Sequence, residues 1–311
     1  MGSMDGLVWS DDTDAKKILK ARRQFVININ VGKKRSSDTQ VKASPMTTLN
    51  MADNSIPFHH PERPGSEFRP LKAWRHFRKL IADKEDTEQV FHIIAALRGK
   101  KFRQVAKKFW FSDKGQQILG TQQRLIDILD DHDTLKTLPA GTVGRAYVDF
   151  MQREGLSAAG LEAEYARFEA SGKRFNDGID RYGDRLRDTH DLHHILTGYG
   201  RDALGEQCVL AFTYAQSRNL GVGFIAYAGG FELKRRVAPK AAIMSAVREG
   251  QRIGKAAKNI VHEDIVALLR EPLADARKRM GISEPVMYRR AHEEMRNAGV
   301  DPYDLLAPVA A

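Results

Sequence analysis

From Phe68 onward, apolar residues recur three and four positions apart, and no run alternates with period two for long enough to build a sheet. "LKAWRHFRKLIAD", "GQQILGTQQRLIDILDD", "GTVGRAYVDFMQREG", "ALGEQCVLAFTYAQSRN" and "EDIVALLREPLADARKRM" each draw an apolar stripe along one side of a helix. Ser112-Asp113, Pro139 to Thr142, Gly198, Gly200, Pro239 and Pro272 punctuate these segments. The spacing therefore predicts an all-α fold: one domain of about nine or ten helices over residues 68–311, with no repeat of fixed period.

Residues 1–67 read differently. "VGKKRSSDTQVKASPMTTLNMADNSIPFHHPERPGSE" is rich in Ser, Thr, Asn, Pro and charge, so it buries too little apolar surface to offset its ordering entropy. It is expected to be a disordered arm, in which "RQFVININV" forms at most a short strand without a partner.

The formal net charge of +10 in 311 residues points to an anionic partner, either a phospholipid surface, nucleic acid or an acidic substrate. The positive residues are spread along the chain and no reading helix stands out, which argues against nucleic acid. A single cysteine, Cys208, excludes an internal disulfide and reads as a buried thiol. The longest apolar stretch, "GVGFIAYAGGF", is about half of the roughly 20 residues that a spanning helix requires. Its small residues suit either a groove for a lipid chain or a tightly packed core helix. The basic set Arg235, Arg236, Lys240, Arg248 and Arg252 suits either anionic lipid or a solvated helix face.

Three histidines within five residues, in "DTHDLHHILTGYGRDALGEQ", carry the most chemistry. On a helix running from about Phe175 to Thr197, His190 and His194 lie one above the other, as two imidazoles must to hold one cation. Asp191 stands one step round, as a third ligand or as a group that orients one. His193 points elsewhere and is expected at a solvent-facing rim. On a continuous helix Glu206 would lie roughly 18 Å further along the axis. Gly198, Gly200 and Gly205 break the helix, so Glu206 can start a second helix packed back on the first. The competing reading is a salt-bridged helix end. A histidine pair four apart is common by chance, whereas Asp directly after the first His and Glu at one fixed later position are not.

His190-Asp191-x-x-His194 followed after eleven residues by Glu206 resembles the metal motif of the coenzyme Q biosynthesis protein 4 family. "LPAGTVGRAY" is similar to that family's Leu-Pro-x-Gly-Thr-x-Gly turn, and "REGQRIGKAAKNIVHEDIVALLREPLADARKRMGI" to its C-terminal signature. The chain departs from the family at Leu210 and Thr213, where Lys and Glu are frequent, and at His262, where Trp is frequent. The resemblance implies a helical peripheral membrane protein, a homodimer that works with other ubiquinone-biosynthesis proteins on a polyprenylated ring intermediate. Its place would be the cytoplasmic side of the inner membrane in a bacterium or the mitochondrial inner membrane in a eukaryote. The implied activity is that of a lyase, C1 decarboxylation of a polyprenyl-hydroxybenzoate. The implied metal is zinc on His190, Asp191, His194 and Glu206, with the two carboxylates also relaying a proton. Two other readings compete: a non-enzymatic prenyl-lipid scaffold with a structural metal, and a metal-dependent phosphohydrolase of the His-Asp type.

Overall fold

The computed structural model describes residues 56–306, apart from 84–85, 87, 121–123, 159–173 and 238–240. Fifteen α-helices run through these residues: α1 (Pro70–Ala82), α2 (Glu88–Ala96), α3 (Lys100–Trp110), α4 (Asp113–Leu119), α5 (Leu125–Asp130), α6 (His132–Lys136), α7 (Val143–Glu154), α8 (Gly178–Asp188), α9 (His190–Thr197), α10 (Ala203–Ser217), α11 (Leu220–Arg236), α12 (Ile243–Ala256), α13 (Ile265–Arg270), α14 (Leu273–Met280) and α15 (Val286–Asn297). Among the described residues there is no strand, only an isolated bridge between Thr142 and Pro272. The fold is all-α as the periodicity requires, but with more and shorter helices than the apolar stripes suggest. "EDIVALLREPLADARKRM", for example, divides at Glu271-Pro272 into α13 and α14, because proline cannot supply the amide that a continuous helix needs.

Seven of the fifteen helix starts are fixed by a short polar side chain that accepts an orphan amide hydrogen. Ser112 accepts from Gly115 N at 3.0 Å, Thr142 from Arg145 N at 3.3 Å and Asp264 from Ala267 N at 3.1 Å. The stretch predicted as one helix from Phe175 to Thr197 is two. Asp177 caps α8, accepting from Ile179 and Asp180, and Asn176 before it has a left-handed φ of 53°. Thr189 then interrupts the helix, its hydroxyl donating back to Arg185 O at 2.9 Å.

The strand suggested for "RQFVININV" and most of the arm lie outside the described residues. Residues 56–67, assigned to the arm, are held against the helices. Arg63 Nε and Nη2 donate to both oxygens of the buried Asp177, at 2.6 and 2.7 Å, and Phe58 packs against Trp110 and Phe111. The same Asp177 carboxylate therefore caps α8 and anchors the segment that leads into α1.

α10 is buried on nearly every side, including Leu204, Cys208, Val209, Ala211, Phe212 and Ala215, which marks it as the central helix. One apolar cluster joins it to α11, α12 and α15 through Ala226, Val247, Tyr288, Ala291 and Met295. A second joins Tyr147, Val148 and Met151 of α7 to Leu192 and Leu196 of α9 and to Leu268 and Met280. α9, which carries the histidines, thus lies between α7 and the central helix.

The glycines of "GVGFIAYAGG" are packing sites on α11: a Cβ on Gly221 would meet Ile94 Cα at 2.5 Å. Of the two readings of that stretch, the tightly packed core helix is the one observed. α12 does the same at Gly250, where a Cβ would stand 2.5 Å from Cys208 O. Replacing a helical glycine by alanine usually stabilises by about 1 kcal/mol, whereas overpacking costs about 1–3 kcal/mol. Because the obstructing atom is backbone, Gly250→Ala is expected to lower stability by about 1–2 kcal/mol in urea unfolding. A gain in stability would show that the α10–α12 contact is looser than described.

Candidate metal centre

The histidine helix ends at Gly198, whose left-handed φ of 76° suits a residue without a Cβ. That turn brings the Tyr199 carbonyl back to His194 Nδ1 at 3.1 Å. Nδ1 donates there, which leaves the Nε2 lone pair free. His194 Nε2 is buried and makes no hydrogen bond. The nearest polar group to it is a carboxylate, Glu206 Oε1 at 3.5 Å, so a proton or a cation held between the two would satisfy both. The ring is also clamped by Phe150 of α7, stacked at 5.6 Å with an interplanar angle of 23°.

His190, Asp191 and His194 offer ligand atoms that all lie within 4.8 Å of one another. Glu206, four residues into α10, reaches both imidazoles: Oε2 is 3.6 Å from His190 Nε2 and Oε1 is 3.5 Å from His194 Nε2. The structure therefore brings all four sequence-predicted residues to one locus, with Asp191 on the histidine helix and Glu206 facing it from the next. Two imidazoles and carboxylate oxygens form a donor set that a divalent transition-metal ion can take. His194 is buried, whereas the side chains of His190 and Glu206 are each 25% exposed, so one side of the cluster is accessible.

Electrostatics binds the same groups together. Burial opposes charge on Glu206, but His194 and His190 outweigh it and hold the carboxyl well below the usual range. Burial likewise disfavours charged His194, yet Glu206 and Asp191 hold its pKa above the ordinary value. Arg201 adds a permanent cation, with Nε 3.5 Å from Glu206 Oε1.

His193 is not at a rim. It is 1% exposed, its Nδ1 lies 3.2 Å from Thr213 Oγ1 and its ring packs on Phe212. Three residues beyond His190, it turns toward α10, and burial pushes its pKa well below the ordinary value. Thr213, one of the departures from the family pattern, is its partner. His262, another, stacks on Phe109 at 4.8 Å away from this cluster, and burial together with Arg185 brings its pKa down to about 4.

Sequence reasoning missed the supports. Asp202 is fully buried. Its Oδ1 accepts from Leu204 N at 3.0 Å and Gly205 N at 3.1 Å and lies 3.0 Å from His292 Nε2, while Oδ2 accepts from the Tyr288 hydroxyl. An Asp before an apolar run signals a helix cap, but nothing local points to His292, 90 residues away. Gly205 allows the chain to fold this tightly, since a Cβ there would stand 2.0 Å from Gly200 O. Arg277 of α14 donates from Nε to Leu196 O at 3.0 Å and from Nη2 to Ile195 O at 2.8 Å, satisfying carbonyls at the end of α9. Tyr147 of α7 is also fully buried, its hydroxyl without a partner and its pKa raised by burial and then by Asp191.

Comparison with known proteins gives this cluster its context. The family model described as "Coenzyme Q (ubiquinone) biosynthesis protein Coq4" matches residues 80–286, about two-thirds of the chain.

The chain belongs to the Coq4 family.

Relatives include the mitochondrial ubiquinone biosynthesis protein COQ4 of Pyricularia oryzae, 29% identical over 60% of this chain and 59% of the relative. That of Candida tropicalis is 24% identical over 79% of this chain and 76% of the relative. The chain spans between half and three-fifths of the length of several curated Coq4 relatives. A crystal structure of a protein from Nostoc punctiforme named for ubiquinone biosynthesis matches all of that chain and 70% of this one, with a TM-score of 0.50 and 18% identity, which shows the fold alone.

Linkage yields a prediction with a definite sign. Glu206, with its pKa lowered, adds stability to the metal-free protein above its unfolded value of about 4.3, and this is lost as pH falls. His194, with its pKa raised, adds stability below about 6.5, and this is lost as pH rises. The pair's contribution should therefore peak between about pH 4.3 and 6.5, and Glu206→Gln should flatten that region of a plot of Tm against pH. Zinc must displace the His194 proton, so affinity measured by calorimetry should fall about tenfold or more from pH 7.5 to 6. An affinity independent of pH would remove His194 from the ligand set.

Proposed function

We propose that this Coq4-family chain acts in ubiquinone biosynthesis as a metal-dependent lyase, removing the C1 carboxyl group from a polyprenyl-hydroxybenzoate. The observation that carries this reading is the convergence of His190, Asp191 and His194 on one point, with the buried Nε2 of His194 turned toward Glu206 while Nδ1 donates to the Tyr199 carbonyl. A divalent ion held there, zinc on the donor set, would supply positive charge to the substrate's carboxylate or phenolate. In the reaction the bond from ring carbon to carboxyl carbon breaks and carbon dioxide leaves. The electron pair stays on the ring carbon and takes up a proton. Asp191 and Glu206 are the groups placed to relay that proton.

Three ligands from α9, with Glu206 alongside and a solvent-accessible side, suit a site that must admit substrate. A closed four-ligand shell would favour a structural metal and the scaffold reading. Replacing Glu206 by Gln, or Asp191 by Asn, should lower carbon dioxide release from a polyprenyl-hydroxybenzoate by about a hundredfold or more while helicity is kept. Near wild-type release in both variants would make the scaffold the better reading.

The same proposal places the protein on an anionic membrane surface, the inner membrane if the chain is mitochondrial as its relatives are named, with a second copy and other ubiquinone-biosynthesis proteins as partners. No helix among the described residues is long and apolar enough to cross a membrane. At and just before α1, Phe68, Leu71 and Trp74 are 71%, 85% and 51% exposed, and Arg69, Lys72 and Arg75 alternate with them. Large apolar side chains in water among basic ones support docking on anionic lipid. In sedimentation with vesicles containing phosphatidylserine, the double variant Leu71→Glu, Trp74→Glu should bind at least tenfold more weakly than the parent protein. Equal binding would move the contact elsewhere.

A further inference from the structure

Next to the cluster lies an open pocket of about 660 Å³, and of the four cluster residues only His194 lines it. Such a volume is ample for a single substituted ring. The lining combines aromatic side chains (Phe150, Tyr199, Tyr288 and Tyr303) with four arginines, against a single acid, Glu293.

Two groups in this wall are built in place. Arg277 spends Nε and Nη2 on the carbonyls of Leu196 and Ile195, which fixes its guanidinium at the pocket edge. No carboxylate pairs with it among the described residues, and no hydrogen bond engages its Nη1. His292, 6% exposed, has Nε2 against the fully buried Asp202, which leaves Nδ1 for another partner. Its ring is held between Tyr288 at 4.2 Å and Tyr303 at 6.1 Å. A guanidinium without a counter-ion and an imidazole fixed by a buried carboxylate, framed by aromatic rings, are complementary to an aromatic ring that bears a carboxylate.

We propose that this pocket is the binding site for the carboxylate-bearing ring of the substrate. Arg277 supplies the charge and His292, held by Asp202, a directional hydrogen bond. The assignment rests on the reading of the chain as acting on a hydroxybenzoate, and it adds where the ring sits. Held here, the ring lies beside His194, the one cluster residue in the pocket wall, with the polyprenyl chain led away through the open side.

The test is a binding measurement that needs neither metal nor turnover. Metal-free full-length protein is titrated with 4-hydroxybenzoate, followed by calorimetry and saturation-transfer NMR, with inorganic phosphate as a probe of charge alone. Parent protein should bind 4-hydroxybenzoate and phosphate should compete poorly. Arg277→Gln should weaken binding at least tenfold, His292→Gln at least threefold, and Arg277→Lys should lie between parent and Arg277→Gln. Since Arg277 also supports the end of α9, Ala146→Phe provides a second route: it fills the pocket from α7 without touching either group and should abolish binding. No binding by the parent protein, unchanged binding in Arg277→Gln or Ala146→Phe, or equal competition by phosphate would overturn the assignment. The two proposals fail separately. Binding that depends on Arg277 without any carbon dioxide release would sink the lyase and spare the pocket, whereas release indifferent to Arg277 and Ala146→Phe would do the reverse.

Discussion

One buried carboxylate organises much of this protein. Asp202 has no contact with solvent, yet it faces two amide hydrogens of α10, the Tyr288 hydroxyl and the His292 ring. A buried charge is tolerable only when its oxygens are satisfied, and removal of a partner leaves the remainder costly. The start of the central helix is thereby tied to α15, and Glu206, one turn in, inherits its position. The histidine helix is fixed from its other end by the Gly198 turn and the Arg277 guanidinium. The two helices, each secured at the terminus nearest their connection, thus present imidazole and carboxylate to one point.

The cluster also shows why acidic and basic groups in a metal site can be stable before a metal arrives. Glu206 and the two imidazoles satisfy one another electrostatically, with Arg201 as an outlying cation. A cation entering would replace a proton shared among them instead of meeting an empty, repulsive cage. The membrane-facing proposal and the ring pocket draw on a different property, the surplus of positive charge, which the fold leaves unpaired at Arg277 while pairing Arg63 with Asp177 and Arg279 with Glu271.

Much of this was legible in the amino-acid order. Helical periodicity gave the fold class, and the four cluster residues follow from helical geometry together with the glycines that reverse the chain. What was not legible depends on distance in sequence or on competition between faces. The interruption at Thr189 comes from a hydroxyl bonding its own backbone, which spacing does not record. His193 was read as exposed because neighbouring histidines suggest a polar surface, but α9 is covered on two sides and only the His190–His194 edge is left for polar work. His292, Tyr288 and Arg277 come from the last two α-helices and meet the site only through the tertiary fold.

Cys208 sits at the centre of α10, beneath the backbone crossing at Gly250, and burial pushes its thiol well above the ordinary range. As the sole sulfhydryl of the chain it is chemically silent while α10 and α12 stay together, because a thiol must reach solvent and ionise before it reacts. Its rate of alkylation therefore counts the openings of the central helix pair. The protein carries a built-in gauge of its own breathing.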